Sequence, residues 1–278
     1  MAEVLPAVIV AHAKERRLAP IEKWLTEGND PDLRDVEQKT LMHYALYHTS
    51  YSPASLPLVR LLLANGSDPN NQPFTGADSV GWNVLFYAIT TILETQSLEL
   101  TVMLSRSGAR VDVVDVDGES LLVTCVNELK RDFYFNVRQN EAVRLLLSRG
   151  APLLAKDGFG RTAEEYAHRL RNNAYGSRAP GRFDETIRLL RDVRLAGGWK
   201  RYANAPRASL LILRELCNRG RAAPPPELKA LFCTSSDARP RTRKARRRMP
   251  LPTPVFWHVV SFWRSDRDAI SLGAFDAV

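Results

Sequence analysis

Four leucine-rich stretches of helical period each run into a glycine: Trp24-Leu25-Thr26-Glu27-Gly28, Leu62-Leu63-Ala64-Asn65-Gly66, Met103-Leu104-Ser105-Arg106-Ser107-Gly108 and Leu145-Leu146-Leu147-Ser148-Arg149-Gly150. A glycine just past an apolar-periodic run predicts a helix C-cap, because it takes the left-handed conformation at little cost. An aspartate follows each time, at Asp35, Asp78, Asp115 and Asp157. The step is seven residues in three of the four cases; between Gly66 and Asp78 five extra residues surround Pro73-Phe74-Thr75-Gly76. Three residues later stand Gly81, Gly118 and Gly160, with Gln38 in the first instance. Asp-x-x-Gly predicts a tight turn, in which the carboxylate bonds its own backbone and glycine allows positive φ.

Two residues past each turn the pattern predicts a second, shorter helix. Its openings read Thr40-Leu41-Met42-His43-Tyr44-Ala45, Asn83-Val84-Leu85-Phe86-Tyr87-Ala88, Ser120-Leu121-Leu122-Val123-Thr124-Cys125 and Thr162-Ala163-Glu164-Glu165-Tyr166-Ala167. The leading Thr, Asn and Ser are N-cap residues. The sixth position is small, as close helix packing demands. This order of turn, short helix, loop, leucine helix and glycine resembles the ankyrin repeat, whose short helix opens on T-P-L-H-x-A. The resemblance covers residues 1–196 as about five units. It implies an all-α solenoid of helix-turn-helix units, to which the last third of the chain adds a helical C-terminal cap and a basic, partly disordered tail. The sequence departs from the family in three ways. No unit carries the proline, and His43 is the only histidine at its position. The aspartates are also 43, 37 and 42 residues apart, against a repeat of about 33. The extra residues fall mainly between paired helices, at His48–Ser55, around Glu94–Ser97, at Lys130–Arg138 and at Arg171–Arg182.

In such an array the resemblance implies free positions at the turn tips and along the exposed side of the short helices, facing a concave surface. Here these are Val36, Glu37, Lys39, Tyr47 and His48; Ser79, Val80, Trp82, Thr90 and Thr91; Val116, Asp117, Glu119, Asn127 and Glu128; and Phe159 and Arg161. Tyr47, His48, Trp82, Thr90, Thr91, Asp117, Glu119, Asn127, Glu128, Phe159 and Arg161 are the candidate protein-binding residues, since binding energy concentrates in a few aromatic and charged anchors. Two readings of Trp82 stand side by side: a partner anchor, or a ring packed on the Pro73–Phe74 insertion. His43 is implied to be structural, bonding neighbouring turns.

Little else carries chemistry. The remaining histidines, His12, His48, His168 and His258, show no metal-ligand spacing. No GxSxG, P-loop or GxGxxG motif occurs. Cys125 falls where a small core residue is wanted, and Cys125, Cys217 and Cys233 form neither a disulfide framework nor a zinc site. The expectation is a non-enzymatic chain with no catalytic residues, no metal, no cofactor and no small-molecule substrate. No apolar run approaches the length of a membrane span. The acid-first order of MAEVLPAVIVAHAKERR is wrong for a secretory signal, so a cytoplasmic or nuclear location is expected.

Charge divides the chain. Residues 1–196 hold 23 basic against 25 acidic side chains, while residues 197–278 hold 16 against 6, so the formal net charge of +8 comes wholly from the last third. There Arg207–Arg219 predicts a helix with Leu210, Leu213, Leu216 and Cys217 on one stripe, suited to capping the solenoid. Ala222-Ala223-Pro224-Pro225-Pro226 is a stiff break. The run Arg239, Arg241, Arg243, Lys244, Arg246, Arg247 and Arg248 puts seven bases in ten residues. It reads as a localisation signal, as a contact for nucleic acid or an acidic partner, or as a solvated linker. It interleaves no aromatic stacking platform. Beyond it, Thr253 and Pro254 suit a helix start, and Phe256, Val259, Val260 and Trp263 form an apolar face.

This last segment is similar to the start of an F-box, and its Pro-Leu-Pro to the end of a SOCS box. Both resemblances imply a ubiquitin-ligase scaffold as partner and an adaptor role for Phe256, Val259, Val260 and Trp263. The strings GGWKRY, LCNRGRA and SFWRSDRD are similar to the tails of ankyrin proteins of unicellular algae, a likeness that implies no activity. The predicted organisation is repeats over 1–196, capping helices over 197–232, a basic linker over 233–250 and a short hydrophobic helix within 251–278. The expected function is a protein-interaction scaffold gripping another protein on its concave surface, with ligase adaptor and tail-borne nucleic-acid association as alternatives and no membrane partner.

Overall fold

The computed structural model describes residues 4–46, 56–71, 83–95, 98–115, 117–128, 139–173, 180–219 and 221–223. Among them the chain is helical, and extended pairing is limited to one bridge between Val114 and Ser120. The chain divides into two units, one of Met1–Leu195 together with Ile270–Val278 and one of Ala196–Ala269.

The first unit holds five helix pairs. They are α1 Ala7–Lys14 with α2 Leu18–Thr26, α3 Leu41–Leu46 with α4 Leu56–Ala64, α5 Val84–Thr95 with α6 Glu99–Arg106, α7 Leu121–Glu128 with α8 Gln139–Ser148, and α9 Ala163–Asn173 with α10 Pro180–Leu195. The members of each pair pack together, and the first helices pack in succession, α1 on α3, α3 on α5, α5 on α7 and α7 on α9. The reason lies in the sequence. Ala45, Ala88, Cys125 and Ala167, the small sixth positions, are all buried and let the short helices approach. Leu41, Leu85, Phe86, Leu121 and Leu122 of the same short helices are buried in the core.

The helix ends follow the glycine reading. Gly28, Gly66, Gly108 and Gly150 adopt φ of +88°, +85°, +90° and +92°. In three of these the next residue closes a Schellman bond five residues back, Ser67 N–H to Leu62 O, Ala109 to Leu104 and Ala151 to Leu146, each at 3.0 Å.

A further device ties neighbouring pairs. Four residues past the first cap glycine, Asp32 accepts the Ser67 hydroxyl at 2.7 Å and the Asp68 N–H at 2.8 Å. Four past the second, Asn70 accepts the Arg110 N–H at 2.8 Å and donates to Gly108 O at 3.0 Å. Four past the third, Asp112 would meet Pro152, which has no N–H. Asp112 pairs instead with Arg110 of its own segment at 3.1 Å.

Four boundaries differ from the sequence reading. α5 runs through Glu94 to Thr95, and α9 runs past Arg171 to Asn173 with α10 starting at Pro180, so the insertions at these places are shorter than expected. In the second unit, α11 spans Trp199–Asn218 rather than starting at Arg207. Pro206 lies inside it, in the eighth position: the ring removes one helical hydrogen bond without stopping a helix that has already turned twice. Tyr202, Ala203, Arg214 and Cys217 of α11 are buried. No described helix is long and apolar enough to cross a membrane.

Candidate functional site

The site is built on the aspartate turns. In three of them the geometry repeats bond for bond. Asp35 Oδ1 accepts the N–H groups of Glu37 and Lys39 at 2.8 and 2.9 Å. Asp115 accepts those of Asp117 and Glu119 at 3.0 and 2.8 Å, and Asp157 those of Phe159 and Arg161, both at 2.9 Å. The third residue after each aspartate has positive φ: +62° for Gln38, +74° for Gly118 and +77° for Gly160. Asp78 and its turn lie outside the described residues.

The short helices start as their N-cap residues require. Asn83 Oδ1 accepts the Leu85 N–H at 2.7 Å. Thr162 and Glu165 form a reciprocal capping box, the Glu165 carboxylate taking the Thr162 N–H at 2.8 Å. His43 does the same work in the first turn: its Nδ1 accepts the Thr40 N–H at 3.1 Å and lies 2.9 Å from the Thr40 hydroxyl. The structural reading of His43 holds, but these bonds serve its own turn rather than a neighbouring one. Burial, with Arg34 and Lys39 nearby, pushes the imidazole down to about 4, so it is a neutral acceptor near pH 7.

One repeat position then diverges. Tyr44 and Tyr166 both stand nine residues past their aspartates. Tyr44 donates its hydroxyl to Asp35 Oδ2. Burial would raise the Asp35 pKa, but the bonds from Tyr44 and from the Lys39 and Glu37 N–H groups outweigh it and hold it below the usual range. At Asp157 the residue four on is Arg161, whose guanidinium takes Oδ2 at 2.7 and 3.0 Å. Asp157 is likewise held low against its burial by these bonds. Tyr166 is thereby left to reach the preceding pair, donating to Asn127 Oδ1 at 2.9 Å. Its own pKa is raised by burial and by the Glu119 carboxylate.

The result is a cluster across the fourth and fifth pairs. The Arg161 guanidinium lies 4.5 Å from the centre of the Phe159 ring and 5.0 Å from that of Tyr166. Phe159 is nonetheless 80% exposed. The adjoining turn tips touch: a Cβ on Gly158 would lie 2.5 Å from Asp117 O. Asp117 is exposed and Glu119 half-buried beside them.

Five predicted binding residues therefore come together: Asp117, Glu119, Asn127, Phe159 and Arg161. Of these Asn127 is engaged by Tyr166 and Arg161 by Asp157. Thr90 is half-buried and donates to Tyr87 O of its own helix at 2.9 Å. Tyr47, His48 and Trp82 lie outside the described residues, as do the side chains of Thr91 and Glu128. Arg239–Arg248 and the adaptor face Phe256, Val259, Val260 and Trp263 also lie outside them. Sequence reasoning missed Tyr166 as part of the site; the pairing of a turn arginine with the following tyrosine, against lysine and tyrosine in the first turn, was the available signal.

A polar hollow of about 490 Å3, lined by Arg34, Asp68, Asn70, Asn71, Asn83 and Arg110 among others, opens between the second and third pairs. Asn70, Asn83 and Arg110 spend their polar atoms there on bonds between or within turns. Among the described residues no cluster of His, Cys, Asp or Glu could hold a metal ion. No family model matches the chain, and no curated protein matches it.

Proposed function

We propose that the chain is a non-enzymatic interaction module of ankyrin type, which grips a partner protein on its turns and short helices. The repeated aspartate turns, the cap glycines and the succession of packed helix pairs support the ankyrin reading of the first unit. The observation that carries the function is Phe159. A large apolar ring at 80% exposure would ordinarily be free to move, but this one is held from behind by Arg161, itself fixed by Asp157. A preorganised exposed aromatic loses little entropy on binding. Asp117 and Glu119 beside it add a polar rim.

The test is quantitative affinity capture with the full chain and with Phe159→Ala. The substitution removes an exposed ring and leaves the turn bonds intact, so the circular dichroism spectrum and melting temperature should match the parent. At least one captured protein should fall tenfold or more, the loss expected of an anchor residue worth about 1.4 kcal/mol or more. Retention of every captured protein at the parental level would refute the site.

A further inference from the structure

Two residues past the aspartate, the three described turns carry Glu37, Asp117 and Phe159; four past it they carry Lys39, Glu119 and Arg161. In two of the turns that last residue is a base that meets an acid of its own turn: Lys39 meets Glu37 at 2.8 Å, and Arg161 meets Asp157 at 2.7 Å. The turn 115–119 has no such base. It carries three carboxylates, Asp115, Asp117 and Glu119, and no cation. Asp115 is occupied by backbone N–H groups, Glu119 lies close enough to Tyr166 to raise its pKa, and Asp117 stands exposed. This acidic turn touches the turn of Phe159, where a Cβ on Gly158 would meet Asp117 O. Asp117 and Phe159 hold the same repeat position on neighbouring turns, so one step between packed helix pairs, about 10 Å, separates them.

We propose that the partner gripped at Phe159 is a basic protein segment, which sets an apolar side chain against the ring and an arginine or lysine against Asp117, a proposal that rests on Phe159 acting as a binding anchor. Charge complementarity selects this occupant. A cation from the partner supplies to the turn 115–119 what Lys39 and Arg161 supply to the other two. The same carboxylates repel a polyanion, so nucleic acid and acidic segments are turned away from this face. Geometry sets the spacing of the partner's two side chains. In an extended segment, residues i and i+2 share a face about 7 Å apart, and the long stem of an arginine or lysine spans the remainder of the step. An exposed ion pair adds little affinity, but it decides which partner is accepted and makes binding sensitive to salt.

The experiment is fluorescence anisotropy of the full chain with three labelled peptides, in which leucine alternates along one face with arginine, glutamine or glutamate and serine fills the other face. The arginine peptide should bind about tenfold more tightly than the glutamate peptide, although the chain as a whole carries a net charge of +8, and added salt should narrow the gap. Asp117→Lys should weaken the arginine peptide about fivefold. Glu37→Lys, the same reversal at the same position of the first turn, should leave it within about twofold. Glu37, Asp117 and Phe159 are all exposed, so the variants should keep the parental circular dichroism spectrum. Absent or equal binding of the three peptides, or matching losses in the two lysine variants, would overturn the proposal. Phe159→Ala should weaken the arginine and glutamine peptides alike. If it does and Asp117→Lys has no effect, the anchor stands and the basic partner is refuted. If Asp117→Lys weakens the arginine peptide and Phe159→Ala weakens none, the anchor fails and the proposal falls with it.

Discussion

Three turns of one geometry but different partner sets form an internal series, and removal of the aspartate from each should cost in proportion to what that aspartate holds. Asp115 accepts two backbone N–H bonds. Asp35 accepts the same two and the Tyr44 hydroxyl. Asp157 accepts the same two and a bidentate guanidinium, with its side chain fully buried and that of Arg161 20% exposed. A hydrogen bond to a charged group contributes about 1.5–3 kcal/mol, less than additively within one cluster. Asp115→Ala should therefore cost about 2 kcal/mol, Asp35→Ala about 3 kcal/mol, and Asp157→Ala about 4 kcal/mol, the last including an arginine left largely buried without its carboxylate.

The assay is urea unfolding followed by circular dichroism at 222 nm. With a slope of about 2 kcal/mol/M, the midpoints should fall by about 1, 1.5 and 2 M in that order, with the slope unchanged. Acid supplies a second arm. The Asp35 and Asp157 carboxylates are held below their usual range in the fold, so their contribution is complete above the unfolded value of about 3.9 and is lost as pH falls through the folded one. Parent and Asp157→Ala should converge there. Equal midpoint shifts for the three alanine variants at pH 7 would refute the reasoning, because the shared backbone bonds alone would then account for the cost.

Three further outcomes follow from single positions. His43, lowered to about 4 in the fold, contributes stability that is fully present above its unfolded value of about 6.5 and is lost as pH falls towards 4, some 3 kcal/mol in all; His43→Gln should flatten the stability profile over that window, and a profile with the parental slope would count against a neutral capping histidine. At the turn tips, Gln38→Gly should raise stability by about 1 kcal/mol by relieving a positive φ of 62°, whereas Gly158→Ala should lower it by about 1–3 kcal/mol because its methyl would strike Asp117 O; chemical denaturation of both checks the opposed signs.

What was legible in the sequence is what a short segment must satisfy alone. A cap glycine, an aspartate that folds back on its own backbone and an N-cap threonine each answer a local demand, so their phase fixed the helix pairs before any packing was known. The bonds between pairs were not legible that way. Asp32 and Asn70 sit at the same step past their glycines as Asp112, yet the first two reach the next pair and the third does not, because the N–H they seek is missing at Pro152. That outcome depends on a residue 40 positions downstream. The start of α11 failed for the opposite reason. Pro206 is a strong local signal against helix, but eleven of the helix's residues lie beyond Arg207, and a helix already nucleated before the proline absorbs one lost bond.

The divergence of Tyr44 and Tyr166 shows how a repeated scaffold acquires an individual site. Both tyrosines occupy one repeat position, and each turn offers one free carboxylate oxygen. Lysine at residue 39 reaches outward to Glu37 at 2.8 Å, so the oxygen goes to Tyr44 and the first turn closes on itself. Arginine at residue 161 can hold the carboxylate with two N–H groups and still present its flat face to a ring. It takes the oxygen, releases Tyr166 to bridge to Asn127, and stacks beneath Phe159. One change of base thus turns a self-contained turn into one that joins two helix pairs and carries a fixed, exposed aromatic. The exposed face of Phe159 should therefore depend on the arginine and not merely on a positive charge.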